Sequence, residues 1–548
     1  MISDRRSLGI LAAVVLASQG LYLLNQSAFW DGVAYLRTIE TGRYAELKEH
    51  FWRAGSPISY YFHRFVGLFP ATILVYRIIY LGSQVLTSYF LYRLVSRLPV
   101  PKLVALTAGM FSVLMPFSLI SFELSLQMAG LTVMCFLIGV EWVLVAAQSE
   151  NRAASISRRA AALVLLAVSF VHGTCLFLAM AAVAASATPL VGTRRWREAA
   201  LVRLRTWPDV HLLPFAAAAA KPMFFSPRGR YQGYNTLEWP SGEQIETWLR
   251  VPATYGRRLY EVIWPADPGL STFELGAIII ASVAIGVLVF FSWKGRLLHA
   301  PLAETDRWPL RSRLYAVGAG LALVYLTILP HFLVGRENVS FAGYISRDNM
   351  VVSLPIGALL AIVLFAVLPR LSRVSLIVVV ALAVRLMTFQ ADLARQWLDE
   401  DLKLKMIVAL LPDVPEVRAA EIVVYEDFVT RFFHLEWVEF QYLFTRAYGD
   451  ERRIAFNTFE LARTPSLEAC VELFTPKRDE PYDALAGARD ARGCGLAVRA
   501  RILAVDASRF SWSDYRVGYT GDEPLRALAQ RRMKVVGTLL KTLPCSGP

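Results

Sequence analysis

Up to about residue 390, apolar stretches close to twenty residues alternate with short basic turns and with longer mixed segments. A helix of about 20 apolar residues crosses about 30 Å of hydrocarbon. The pattern therefore predicts membrane-spanning helices at roughly 7–24, 69–92, 103–120, 126–147, 273–293, 314–334, 350–368 and 374–389. The stretch 160–191 is long for one crossing and short for two, and "SFVHGTC" near its middle suits a hairpin turn. The hairpin is preferred because it puts Arg194, Arg195, Arg197, Arg203 and Arg205 on the same side as the other basic loops, and the run 210–225 then crosses too. Counted this way, about 9–11 helices cross.

Two polar segments are too long to be turns. The first, 26–68, interleaves Arg37, Glu40, Arg43, Glu46, Lys48 and Glu49 with aromatics, the pattern of short amphipathic helices lying in the interface. The second, 226–271, is rich in Tyr, Trp, Arg, Pro and Gly. Beyond 390 the periodicity changes. "QADLARQWLDEDLKLKMIVALL" has helical spacing, while "AEIVVYEDF" and "GLAVRARILAV" read as strands. The expected fold is a polytopic α-helical membrane module over 1–390, with large outer loops at 26–68 and 226–271, followed by an extracytoplasmic α/β soluble domain over 391–548.

Composition supports this division. Of 548 residues, 55% are hydrophobic and only 18% charged, below the roughly 25% of soluble domains. In a soluble protein the net charge of +13 would suggest nucleic acid. Here it reads as Lys and Arg held in cytoplasmic loops by the positive-inside rule, so no nucleic-acid partner is expected. With the N-terminus inside, the basic loops at 93–102, 152–159, 294–313 and 370–373 all fall on the cytoplasmic side. Asp31, Glu123, the 226–271 segment, "GRENVSFAGYISRDN" and the C-terminal domain then share the other face. The charged start and apolar stretch of the N-terminus have no small-residue cleavage site before Trp30, so they read as a retained first helix. The five cysteines make no metal spacing, although Cys470 and Cys494 share the C-terminal domain and could pair there. "NQS" at Asn25 and "NVS" at Asn338 match a glycosylation pattern, a weak signal.

The outer face gathers the chemistry. Carboxylates at a membrane boundary can deprotonate a hydroxyl or hold a divalent cation. Arginines there can grip phosphate through paired N–H bonds, and lysine can do so as a point charge. Each candidate also has a structural reading. Asp31 suits a helix N-cap. Glu123 suits a solvated loop, Arg347 a snorkelling anchor, Lys221, Arg228 and Arg230 interface anchors, and His172 a hairpin turn.

The order of features carries a resemblance. A first membrane helix is followed at once by "WDGVAY", with an aromatic before the acid and a tyrosine four residues on. "SPISYY" lies in the long first outer loop, and Glu123 is in the second. A loop arginine precedes a proline-containing helix in "GYISRDNMVVSLPIGALL", and a soluble domain ends the chain. This layout resembles the GT-C superfamily of integral membrane glycosyltransferases. Many members carry adjacent acidic residues in the first loop, whereas Gly32 follows Asp31 here.

The resemblance implies transfer of a sugar from a polyprenyl-phosphate carrier to an extracytoplasmic glycan, lipid or protein acceptor by inverting displacement. It implies Asp31 as catalytic base and Glu123 as a residue that positions the acceptor or a metal, with a divalent cation left open. Arg347 is first choice for the donor phosphate, with Lys221, Arg228 and Arg230 next, and Tyr35, His63 and His172 lie near the expected cavity. The implied location is a bacterial inner membrane with the site facing the periplasm. The rival class is a lipid or glycolipid transporter, which would favour inverted repeats and charges near the midplane. No repeat is visible, and the nearest mid-helix charges are Arg77, Glu141 and Arg385. An outer scaffold would account for the C-terminal domain but not for Asp31 or Arg347.

Overall fold

The structure is a computed structural model. It describes residues 4–170, 239–264, 308–332, 349–367, 372–429, 437–449, 453–474, 494–506 and 508–544 apart from 99, 119–121 and 148, with scattered positions between 212 and 232 and residues 305 and 341. The hairpin expected at 160–191 and the span at 273–293 lie largely or wholly outside them.

Where the expected spans fall on described residues, helices form close to the predicted positions. The first is α1, Asp4–Gln19, prolonged by a tight 3-10 turn, Gly20–Leu24. The first polar segment folds into three short helices, α2 Asp31–Glu40, α3 Tyr44–Arg53 and α4 Pro57–Val66. α5 (Thr72–Val95), α6 (Lys102–Leu114), α7 (Gln127–Ala147) and α8 (Arg152–Phe170) follow. The 226–271 segment holds α9 (Gly242–Leu249) and α10 (Val251–Ile263). Then come α11 (Leu310–Phe332), α12 (Ser353–Val367) and α13 (Ser372–Leu410). Among the described residues, five helices are long and apolar enough to cross a membrane.

Local chemistry explains the departures from expectation. α6 stops at Leu114, short of Ile120, because Met115 precedes Pro116 and is extended (φ −58°, ψ 134°), as a residue before proline prefers. Arg152, Arg158 and Arg159 are not a loop but the first two turns of α8. Asn151 Oδ1 accepts the Ala154 N–H at 3.1 Å and caps the helix about two turns before the apolar run begins. α13 runs for 39 residues without a break at 390. At 1.5 Å per residue it is about 58 Å long, nearly twice the hydrocarbon thickness, so its second half carries the chain into the C-terminal region.

That region is built on a four-stranded sheet. β1 (Ile422–Asp427) and β3 (Gly495–Ala504) match the two expected strands, and β2 (Ile454–Asn457) and β4 (Met533–Leu543) complete the order β2-β1-β3-β4. β1 pairs parallel with both β2 and β3, and β3 pairs antiparallel with β4. Ile422 to Tyr425 are buried on both faces, as a parallel central strand requires. α15 (Trp437–Tyr448) follows β1 in the chain, after α14 (Pro415–Ala419) has led into it. α16 (Thr458–Ala462), α17 (Leu467–Phe474), α18 (Trp512–Val517) and α19 (Asp522–Arg532) complete the helices. Cys470, on α17, is a buried free thiol packed with Ile422, Val424 and Ile454, whereas Cys494 is disulfide-bonded. The pairing expected between these two does not form, because Cys470 faces the sheet.

Candidate active site

The link between α1 and α2 is held by buried polar groups from distant parts of the chain. Asn25 is fully buried, so it is no glycosylation acceptor. Its amide donates to the Trp397 carbonyl at 2.9 Å, and its Oδ1 accepts the Ser27 N–H at 3.1 Å. Arg77, one of the mid-helix charges, is fully buried on α5 and organises this link. Its guanidinium donates to Asn25 O (3.3 Å), Asn25 Oδ1 (3.0 Å), Ser27 O (2.7 Å) and Phe122 O (2.5 Å), and lies 4.8 Å over the Phe122 ring. One side chain thus ties the segment before Asp31 to the loop that carries Glu123. Ser27 Oγ donates to Asp401 on α13 at 2.5 Å.

The next residues form a tight turn. Trp30 has φ 46° and ψ −132°, and the Gly32 N–H reaches back to Phe29 O at 3.0 Å. These angles are those of the first central residue of a type II′ turn, a place that glycine favours. Trp30 is the one non-glycine with positive φ among the described residues. Such a conformation costs about 1–3 kcal/mol and persists where its surroundings over-determine it. Here they do. Phe29 donates its N–H to Glu123 Oε2 at 3.2 Å, and Trp30 donates its N–H to Glu439 Oε1 on α15 at 2.7 Å. Both rings pack edge-on against Trp397, with centroids 4.6 and 5.5 Å away. Trp30 takes the cap position of α2, so Asp31 is the first residue inside the helix and not its cap.

Gly32 explains how the Glu123 carboxyl reaches the start of α2. A Cβ on it would stand 1.8 Å from Glu123 Oε1 and 3.0 Å from its carboxyl carbon. The vacant side-chain position at 32 is filled by a carboxyl group from another loop. Glu123 is fully buried, and its Oε1 has no hydrogen-bond partner among the described residues. Burial pushes its pKa up to about 8, against the opposing pull of Arg77 and of the Leu124, Phe29 and Ser125 N–H groups. At neutral pH the acid is therefore mostly protonated and able to donate a hydrogen bond. Among the described residues no group of three or more His, Cys, Asp and Glu is arranged to hold a metal.

The other expected site residues divide. Tyr35 and His63 are buried in an aromatic layer of α2, α3, α4 and the start of α5. Tyr35 Oη meets His50 Nε2 at 3.3 Å, and His63 Nδ1 meets Tyr76 Oη at 2.5 Å. Burial, with His50 nearby, lowers the His63 pKa to about 3, so its ring is neutral. Arg228 is exposed, and its backbone N–H donates to Arg53 O at 2.9 Å, which brings the second polar segment to the end of α3. Lys221, Arg230, Arg347 and His172 lie outside the described residues. Asn349, two positions after Arg347, is anchored by the Tyr255 hydroxyl (2.6 Å) and by Phe117 O (3.1 Å).

Sequence reasoning missed the part played by Arg77 and missed Glu439 altogether. A lone arginine in an apolar helix is a signal in itself, since it must find partners inside the protein. A glutamate on an amphipathic helix of the C-terminal α/β region carries no such signal. Glu141, the second mid-helix charge, is explained by pairing with Arg93 (2.8 Å) and Arg97 (2.6 Å) at the far end of α5. That cluster stands about 24 Å along the helix from Arg77. A cavity lies deeper along α5 than Arg77, lined by Gln19, Tyr80, Gln84, Ser118, Ser353 and Gln390 among others, and among the described residues none of its lining is charged.

Fold and site together define a polytopic membrane protein with an acidic centre assembled where its helices meet a C-terminal α/β region. No protein-family model matches the chain, and no curated protein matches it. Among solved structures it is similar to ArnT from Cupriavidus metallidurans, in crystal structures bound to undecaprenyl phosphate and in the apo state. Identity is 13% in both, 96% of this chain is covered, 97% and 96% of those chains are covered, and the TM-scores are 0.32 and 0.31. So loose a superposition transfers neither residues nor chemistry, and the functional reading rests on this chain's own side chains.

Proposed function

We propose that the protein is a membrane glycosyltransferase of GT-C type, moving a sugar from a polyprenyl-phosphate carrier to an acceptor on the extracytoplasmic face of a bacterial plasma membrane. The observation that carries the reading is that the Glu123 carboxyl is seated on the turn that begins α2, against Gly32 and on the Phe29 N–H, next in the chain to Asp31. In this mechanism the Asp31 carboxylate takes the proton of the acceptor hydroxyl. The oxygen attacks the anomeric carbon, the bond from that carbon to the phosphate oxygen breaks, and the lipid phosphate leaves with the electron pair. Attack opposite the leaving group inverts the centre. Glu123, protonated near neutral pH, donates a hydrogen bond that orients the acceptor or a phosphate oxygen. Arg347, Lys221, Arg228 and Arg230 neutralise the departing phosphate. Residues beyond about 390 form the outer domain. A transporter would place charges in the deeper cavity, and the described lining there is uncharged.

The test is sugar transfer from a labelled polyprenyl-phosphate donor by the full-length protein in lipid nanodiscs. Asp31→Asn is expected to lower turnover by about 10²–10⁴-fold, the range of a general base, with an unchanged elution profile. Wild-type turnover in that variant would remove Asp31 from the chemistry.

A further inference from the structure

The turn that presents Asp31 is one that tryptophan disfavours, and the chain closes it with a carboxylate 409 residues away. Glu439 is buried on α15, and α15 also reaches the far end of α2, where the Tyr442 hydroxyl donates to Glu40 at 3.3 Å. The C-terminal region touches the same link at two more points. The Tyr519 hydroxyl bonds to Leu24 O, and Asp401, at the outer end of α13, takes the Ser27 hydroxyl. Leu24, Ser27 and Trp30 are thus each gripped by an element from beyond residue 400, with the last grip one residue before the proposed base.

We propose that Glu439 is a positioning residue: by accepting the Trp30 N–H it locks the turn at positive φ and so aims Asp31, which makes the C-terminal domain a working part of the catalytic centre and not only an appendage. The proposal rests on the catalytic reading of Asp31. An unheld Trp30 relaxes toward negative φ, because a bulky residue is disfavoured at positive φ. That rotation swings the following carboxylate away from the reacting atoms. A displacement of about 1 Å at a reacting group costs about 100-fold in rate.

Two variants of the full-length protein in nanodiscs test it, with two readouts. Glu439→Ala removes the acceptor. It is expected to lower kcat by about 100-fold, to leave the KM for the lipid-linked donor within about threefold, and to speed amide hydrogen exchange across residues 26–36. Glu439→Gln keeps an oxygen that accepts the Trp30 N–H and is expected to remain close to wild type in both readouts. Wild-type exchange or unchanged kcat in Glu439→Ala would overturn the proposal, and so would an equal loss in Glu439→Gln, which would point to the charge and not to the held turn. Should Asp31→Asn retain activity, the catalytic reading fails, while the exchange comparison still decides whether Glu439 holds the turn.

Discussion

Glu123 and Gly32 act as one unit although 91 positions separate them in the chain. The missing side chain at 32 is the volume that the Glu123 carboxyl occupies. Gly32→Ala therefore drives a methyl group into that carboxyl. It is expected to lower sugar transfer by about 100-fold through displacement of Glu123, and to destabilise the protein by about 1–3 kcal/mol, the range for overpacking. Transfer kinetics beside thermal unfolding in detergent check this, and full activity in the alanine variant would show that Glu123 need not lie over α2. His63 makes a contrast at the same scale. It looked like a polar group near a cavity, but its neutral ring stacks on Phe51 and bonds to Tyr76, a packed arrangement inside the aromatic layer.

At the scale of elements, α5 sets the frame. Its outer end carries Arg77 and its opposite end Arg93, so one helix holds the acidic centre at one end and the Glu141 cluster at the other. Arg77 is costly to bury, and four acceptors on three residues compensate it. Arg77→Leu leaves those acceptors without a donor in a dry setting. The expected loss is about 3–5 kcal/mol, as for breaking one side of a buried polar pair, read as a fall in the unfolding midpoint. Arg77→Lys keeps the charge but not the fork, and is expected to recover only part of it. A midpoint unchanged in Arg77→Leu would mean that the link before Asp31 is held by Asn25 and Glu439 alone.

For the whole molecule, the proposed mechanism needs a single outer face. In the fold α2 and α15 touch directly, so the aspartate and the sheet-containing region lie together. Single cysteines at the exposed positions Arg228 and Phe459, in a background without the native five, are expected to react with a membrane-impermeant maleimide from the same side. A cysteine at the exposed Glu150, beside the basic start of α8, is expected to react from the other side. Labelling of 228 and 459 from opposite sides would separate the second polar segment from the C-terminal region that the site requires on the same face.

The sequence by itself determined most of the long apolar helices among the described residues, short helices in the first polar segment, two of the four strands and the suspicion attached to Asp31 and Glu123. It could do so because hydrophobic periodicity and local breakers act within a few residues of where they are written. β2, four residues long, and β4, placed after a helix, carried too little pattern to be seen. The junction at 390 was blurred for a similar reason, since a helix can pass from lipid to water with no local stop signal. Only the tertiary structure decided that Gly32 makes room for Glu123, that Arg77 ties two loops together, and that Glu439 closes the turn before Asp31. Each of these is a contact between positions 45 to 409 residues apart. No window along the chain contains both partners, and the burial that gives each contact its strength exists only once the helices have packed.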